Sequence, residues 1–315
     1  MAATASPVVS VDVFQTGAYA TVLQNVEPPG RCERSDSCIP RPPKPLLIAS
    51  PSGDREGEFP VLMLLHGFLL YNSFYSQLMQ HIASHGFIVV APQLYTLAGP
   101  DCTDEIDSAA EIACWFPKGL KHFLPQKIQP DLSKLALSGH SRGGKVAFAL
   151  ALRKTMLKFS ALIGIDPVDG MDKGVQTPPP VLTYVPNSFD IGMPVIVIGS
   201  GLGEVKKNAV FPPCAPSGVN HWDFYIECKS PACYFVAKDY GHLDMLDDKT
   251  RGIRGAASYC LCMSGKSREP MRRFVGGAIV AFMKSYLGGE PEHLMLLKNQ
   301  DIAAPLELQQ VHFRL

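Results

Sequence analysis

The sequence predicts an α/β fold, a mostly parallel central sheet covered by helices on both faces, and three observations carry that prediction. Six short apolar runs recur along the 315 residues, each continuous rather than alternating. Strands buried on both faces read this way, whereas half-exposed strands alternate. Segments with helical spacing separate most of these runs, and such alternation indicates parallel strands joined by crossover helices. Two connections, residues 166–193 and 199–232, far exceed the few residues usual between such elements. Long loops at sheet ends usually carry function, so both are expected to roof a site.

Taken in order, residues 8–50 read as antiparallel strands with a loop around 32–45. Pro60-Val61-Leu62-Met63-Leu64-Leu65 is the first buried run, residues 75–84 a helix, and Phe87-Ile88-Val89-Val90-Ala91 the second run. Residues 104–124 have helical spacing, with Ile106, Ala110, Ile112 and Trp115 on or near one stripe. Lys134-Leu135-Ala136-Leu137-Ser138 is the third strand, followed by a helix over 143–154. Residues 160–165, 194–198 and 233–237 supply strands four to six, and 271–287 a closing amphipathic helix. Nothing reads as a linker, so 1–315 is expected as a single domain, with a core of about residues 10–290 and a tail over 291–315.

Composition narrows the function. Lys plus Arg and Asp plus Glu both number 29, so the net charge is zero, and apolar residues make up 46%. Disorder needs low hydrophobicity and high net charge, and nucleic-acid binding favours a basic excess, so neither is expected. The most apolar windows, 61–71 and 87–92, are too short to span a bilayer. Residues 1–10 hold no basic side chain, so neither a secretory signal nor a transit peptide is legible there. The nine cysteines lack zinc-ligand spacing and are read first as buried free thiols, with one or two disulfides as the alternative.

Gly139-His140-Ser141-Arg142-Gly143 fits G-x-S-x-G. The bare pattern is weak, but here it stands between a strand and a helix, as the nucleophile elbow of the α/β-hydrolase fold requires. The sharp turn lifts the Ser141 hydroxyl clear of the sheet, and small flanking residues let strand and helix pack around it. A serine hydroxyl needs a base. His242, in Tyr240-Gly241-His242-Leu243-Asp244 just after the last core strand, occupies the position that fold gives its histidine, with His221 as rival. His66 is read as orienting the oxyanion loop, and His140 as pointing away from the nucleophile. For the acid, Asp166 follows the fourth strand directly, while Asp169 and Glu204 stay in contention. His66-Gly67-Phe68 ends the first buried strand, so the backbone N–H groups of Phe68 and Arg142 are the expected oxyanion donors. Their side chains are then free for substrate contact or packing.

Longer stretches resemble a family. Leu137-Ser138-Gly139-His140-Ser141-Arg142-Gly143-Gly144-Lys145 and Phe159-Ser160-Ala161-Leu162-Ile163-Gly164-Ile165-Asp166-Pro167 look like plant chlorophyllase. So do Pro212-Pro213-Cys214-Ala215-Pro216 and Asp239-Tyr240-Gly241-His242-Leu243-Asp244-Met245-Leu246-Asp247-Asp248. The resemblance implies hydrolysis of the phytyl ester of chlorophyll to chlorophyllide and phytol, through a triad that maps onto Ser141, Asp166 and His242. It favours Asp166 over Asp169. It implies a plant-cell setting, in the chloroplast or elsewhere inside the cell, membrane-associated or soluble. Large apolar side chains fit so oily a small-molecule substrate: Leu69, Leu70, Tyr71, Phe74 and Trp222 are expected to contact it, alongside peripheral contact with a membrane. No cofactor, protein metal site or nucleic-acid partner is expected, since the magnesium belongs to the substrate. The alternatives are a lipase- or cutinase-like esterase for simpler esters, and a non-catalytic ligand receptor on a hydrolase scaffold.

Overall fold

The computed structural model describes residues 12–29, 39–53, 56–153, 158–301 and 303–314. The expected loop around Cys32 and Cys38 lies largely outside these residues, as do residues 1–11. Among the described residues a nine-stranded mixed sheet forms the centre. Two antiparallel strands, β1 (Thr21–Val26) and β2 (Leu46–Pro51), open the sheet, and β2 runs antiparallel to β4 (Ile88–Pro92). From β4 the order continues in parallel through β3 (Gly57–Leu65), β5 (Ile128–His140), β6 (Ala161–Ile165), β9 (Val195–Ser200) and β10 (Ala232–Ala237). A small antiparallel hairpin, β7 (Gly170–Asp172) with β8 (Val175–Gln176), folds within the first roof loop. This is the mostly parallel α/β-hydrolase sheet that the apolar runs predict.

Side chains alternate across each strand, so the sheet has two apolar faces and each needs a cover. One is closed by α1 (Ser76–Ser84) and α6 (Glu269–Met283), whose Leu78, Ile82, Phe274 and Ile279 pack with Leu62, Leu64 and Ile163. The other is closed by α2 (Thr103–Gly119) and α3 (Arg142–Leu152), whose Ile106, Ile112, Val146 and Phe148 meet Met63, Leu137 and Leu162. Each such side chain, fully removed from water, contributes about 1.5–3 kcal/mol. Two shorter helices, α4 (His221–Glu227) and α5 (Gly252–Ala257), belong to the connections above the sheet.

Three expectations are corrected. The helix predicted over 104–124 ends at Gly119 and continues as a 3-10 turn at Leu120–Phe123. Pro117 cannot donate a helical hydrogen bond, and a Cβ on Gly119 would lie 2.2 Å from the Trp115 ring, so the last turn tightens here. Residues 291–315 are not a tail beyond the core: α7 (Glu292–Asn299) packs on α6, and β11 (Leu308–Arg314) adds an antiparallel edge to β10. Among the described residues the cysteines include one disulfide, Cys214–Cys262, which joins the second roof loop to the segment behind His242. Cys102, Cys228 and Cys233 are buried free thiols, while Cys114 and Cys260 are exposed.

Candidate active site

Parallel strands all end at one edge, and β3, β5, β6, β9 and β10 there deliver their following residues to a common place. Ser141 sits between β5 and α3 at φ 56° and ψ −125°, a conformation costly for a non-glycine residue. Its neighbours explain how it is held. A Cβ on Gly139 would lie 2.0 Å from the carbonyl oxygen of Gly143, and one on Gly143 would lie 2.4 Å from that of Leu65. The Ser141 N–H donates to the Ile165 carbonyl at 3.0 Å, and the Ser141 carbonyl accepts from Val168 at 3.2 Å. The turn is thus clamped on both sides.

His242 Nε2 lies 2.8 Å from Ser141 Oγ, and its Nδ1 lies 2.8 Å from Asp166 Oδ2. All three are buried. Asp166 is itself at φ 44°, which turns its carboxylate off the end of β6 toward the histidine. Burial alone would raise its pKa, but hydrogen bonds and charge from His242, the charge of His221 and a hydrogen bond from Ser200 outweigh that and hold it at about 2. Ser200 donates both its hydroxyl and, at 3.2 Å, its backbone N–H to the carboxylate.

The rival residues go elsewhere. Asp169 pairs with Lys145 at 2.7 Å in the interior and accepts from the N–H groups of Val181 and Leu182 at 3.0 and 2.8 Å, which orders the first roof loop. Glu204 accepts from Asn220, the residue that caps α4. His221 lies 3.7 Å from the other Asp166 oxygen and 2.8 Å from the Tyr234 hydroxyl, and burial lowers its pKa.

The turn after β3 presses on the nucleophile, since a Cβ on Gly67 would lie 3.2 Å from Ser141 Cβ. The Gly67–Phe68 peptide is therefore beside Ser141. His66 Nδ1 donates to the Gly67 carbonyl at 2.9 Å while its Nε2 accepts from Leu94 N–H at 3.1 Å, and burial lowers its pKa to about 4. Arg142 is the first residue of α3, where backbone N–H groups have no partner inside the helix. Its side chain turns away to pair with buried Glu105 at 2.6 Å, bonds the carbonyls of Gly99 and Asp101, and stacks on Phe68.

The five expected contact residues divide. Leu69 is 36% exposed at φ 55°, beside Phe68 at 51%, and Tyr71 is half-buried. Leu70 and Phe74 instead belong to the core under the loop, Phe74 on the buried side of the 3-10 turn Asn72–Tyr75. Trp222 is exposed, but it packs on Tyr225, Tyr234 and His312 at the β10–β11 side of the molecule.

The family model described as Chlorophyllase matches residues 9–315. The chain belongs to the chlorophyllase family. It is 59% identical to Chlorophyllase-2 of Arabidopsis thaliana over 312 residues, covering 96% of this chain and 97% of that protein. It is 44% identical to Chlorophyllase-1 of Arabidopsis thaliana over 311 residues, 97% and 93% of the two chains. It is likewise 44% identical to Chlorophyllase-1, chloroplastic, of Citrus sinensis over 308 residues, 96% and 89%. As a chlorophyllase-family protein it is a carboxylic ester hydrolase.

Sequence reasoning missed Ser200 and Glu105. A hydroxyl ending the strand next to the acid's strand was one available signal, and a carboxylate beside Ile106 on an apolar helix stripe was the other.

Proposed function

We propose that this chlorophyllase-family esterase hydrolyses the phytyl ester of chlorophyll to chlorophyllide and phytol, with Ser141 as nucleophile, His242 as general acid–base and Asp166 as its carboxylate. The observation that carries the assignment is the hydrogen-bonded chain Asp166–His242–Ser141, with both links at 2.8 Å. Ser141 Oγ attacks the ester carbonyl of the chlorin's propionate arm as His242 Nε2 takes its proton. The backbone N–H groups of Phe68 and Arg142 receive the resulting oxyanion. Collapse breaks the bond to phytol, whose alkoxide takes the proton back from His242, and an acyl-enzyme remains. Water, deprotonated by the same histidine, then releases chlorophyllide. Asp166 holds the imidazole tautomer and stabilises its charged form without taking the proton.

Phe68, Leu69 and Tyr71 are the proposed apolar contacts for the substrate, with Leu70 and Phe74 supporting them from beneath. Contact with a lipid surface belongs to the same reading. Ile253 and Leu97 are 91% and 81% exposed. Arg254, next to Ile253, joins them to the mouth by bonding the Thr96 carbonyl and lying over the Tyr71 ring. Chloroplast residence is supported by the similarity to Chlorophyllase-1, chloroplastic, of Citrus sinensis. Rates on chlorophyll and on short p-nitrophenyl esters test the function. Chlorophyll is expected to be strongly preferred in kcat/KM, and the opposite preference would overturn the substrate in favour of a general esterase.

A further inference from the structure

Two groups that must meet one carbonyl oxygen and one hydroxyl arrive from different strands, and a buried pair of side chains bridges them. Tyr75 ends the 3-10 turn before α1, and His140 immediately precedes Ser141; both are fully buried. The Gly67 N–H donates to the Tyr75 hydroxyl at 3.0 Å. The same hydroxyl lies 2.7 Å from His140 Nδ1, and His140 Nε2 lies 2.8 Å from the backbone carbonyl of His242.

The partners fix the direction of every proton in this chain. A carbonyl oxygen only accepts, so His140 Nε2 carries the hydrogen. Burial lowers the His140 pKa to about 3, so its ring is neutral and Nδ1 must accept. The Tyr75 hydroxyl therefore donates to Nδ1, and its oxygen accepts from Gly67. Burial also raises the tyrosine pKa, which keeps that proton in place. Each member satisfies the next, and reversing one bond would leave a buried group unpaired.

We propose that Tyr75 and His140 are positioning residues that set the oxyanion peptide and the backbone of His242 in register about Ser141. One end of the chain is the Gly67 N–H; the Gly67 carbonyl is separately held by His66 Nδ1 at 2.9 Å, the Tyr95 hydroxyl at 3.2 Å and the Leu70 N–H at 3.2 Å. With both polar groups of Gly67 fixed, the Phe68 N–H, which lies trans to that carbonyl across the peptide, has one direction left. The other end is the residue that carries the base. A Cβ on Gly67 would lie 3.1 Å from His140 Nδ1 and 3.2 Å from Ser141 Cβ, so the three segments meet with no room for slack. The inference rests on Ser141 and His242 being the reacting pair.

Chlorophyll hydrolysis by Tyr75→Phe, His140→Gln, His140→Leu and the Tyr75→Phe/His140→Leu double variant tests it, with Ser141→Ala alongside. An oxyanion donor acts mainly in the transition state, so Tyr75→Phe should lower kcat about 10- to 100-fold and leave KM within about twofold. Glutamine can keep the donor to the His242 carbonyl, so His140→Gln should retain about tenfold more kcat than His140→Leu. Residues acting as one chain are non-additive, so the double variant should match His140→Leu within about twofold. Wild-type kcat in Tyr75→Phe, a loss confined to KM, or an additive double variant would each overturn the relay. Wild-type turnover in Ser141→Ala would instead overturn the nucleophile assignment. Where a variant does not fold, the wild-type protein decides: two-dimensional NMR of 15N-histidine-labelled enzyme should report the Nε2–H tautomer for His140, and the Nδ1–H tautomer would refute the relay.

Discussion

Asp166 and Asp169 follow the same strand, β6, and both are fully buried, yet they face opposite partners. Asp166 accepts from the His242 ring and the Ser200 hydroxyl at the mouth of the site. Asp169 meets the ammonium of Lys145 inside the first roof loop and takes two backbone N–H groups besides. A buried carboxylate is therefore no sign of catalysis by itself. What separates the two is whether the chain of hydrogen bonds leads on to a nucleophile or closes on a fixed charge.

The sharpest way to break that contrast is to neutralise each acid in turn. Asp166→Asn should lower kcat about 10⁴-fold, because the amide supports the wrong imidazole tautomer. Asp169→Asn should stay close to wild type in kcat per folded molecule. It should instead lose about 3–5 kcal/mol of stability by urea unfolding, since Lys145 would be left buried without its partner. Comparable kcat losses in both would remove the distinction.

The next effect is on acid stability. The Asp166 pKa is lower in the fold than in the unfolded chain, so its contribution is present above the unfolded value near 3.8 and is lost as pH falls toward about 2. That contribution is about 2 kcal/mol. Unfolding free energies measured across this window should fall more steeply for wild type than for Asp166→Asn, and parallel curves would contradict the pairing. Ser200→Ala removes one hydroxyl donor from the carboxylate and should lower kcat about tenfold, as read from initial rates on chlorophyll. The smallest effect is expected at Glu204, which holds Asn220 rather than a reacting group. Glu204→Gln should change kcat less than about twofold, since it keeps an oxygen to accept that bond.

The same contrast explains what could be read from the sequence. The six core strands were legible because parallel strands buried on both faces must be continuously apolar, as Val61 to Leu65 are. Ser141 and His242 were legible because a strained turn and a glycine-preceded loop each leave local traces. Choosing among Asp166, Asp169 and Glu204 was beyond spacing alone, since it depends on where three connections meet in space; the family resemblance made that choice. The edge strand β11 escaped because Leu308-Gln309-Gln310-Val311-His312-Phe313-Arg314 is polar and only partly buried, with neither a continuous run nor a clean alternation. The Cys214–Cys262 pairing spans 48 residues and leaves no mark in either local sequence. The short helix α4 was likewise missed inside the connection read over 199–232, although Asn220 and Asp223 cap its start reciprocally.

Covalent labelling with a fluorophosphonate, mapped by mass spectrometry, tests the central claim most directly, because the probe reports the activated nucleophile without needing chlorophyll. A single adduct on Ser141 is expected in wild type and in Asp169→Asn, formed far more slowly in Asp166→Asn. An adduct on another residue, or labelling of Asp166→Asn at the wild-type rate, would contradict the assignment of Ser141, His242 and Asp166.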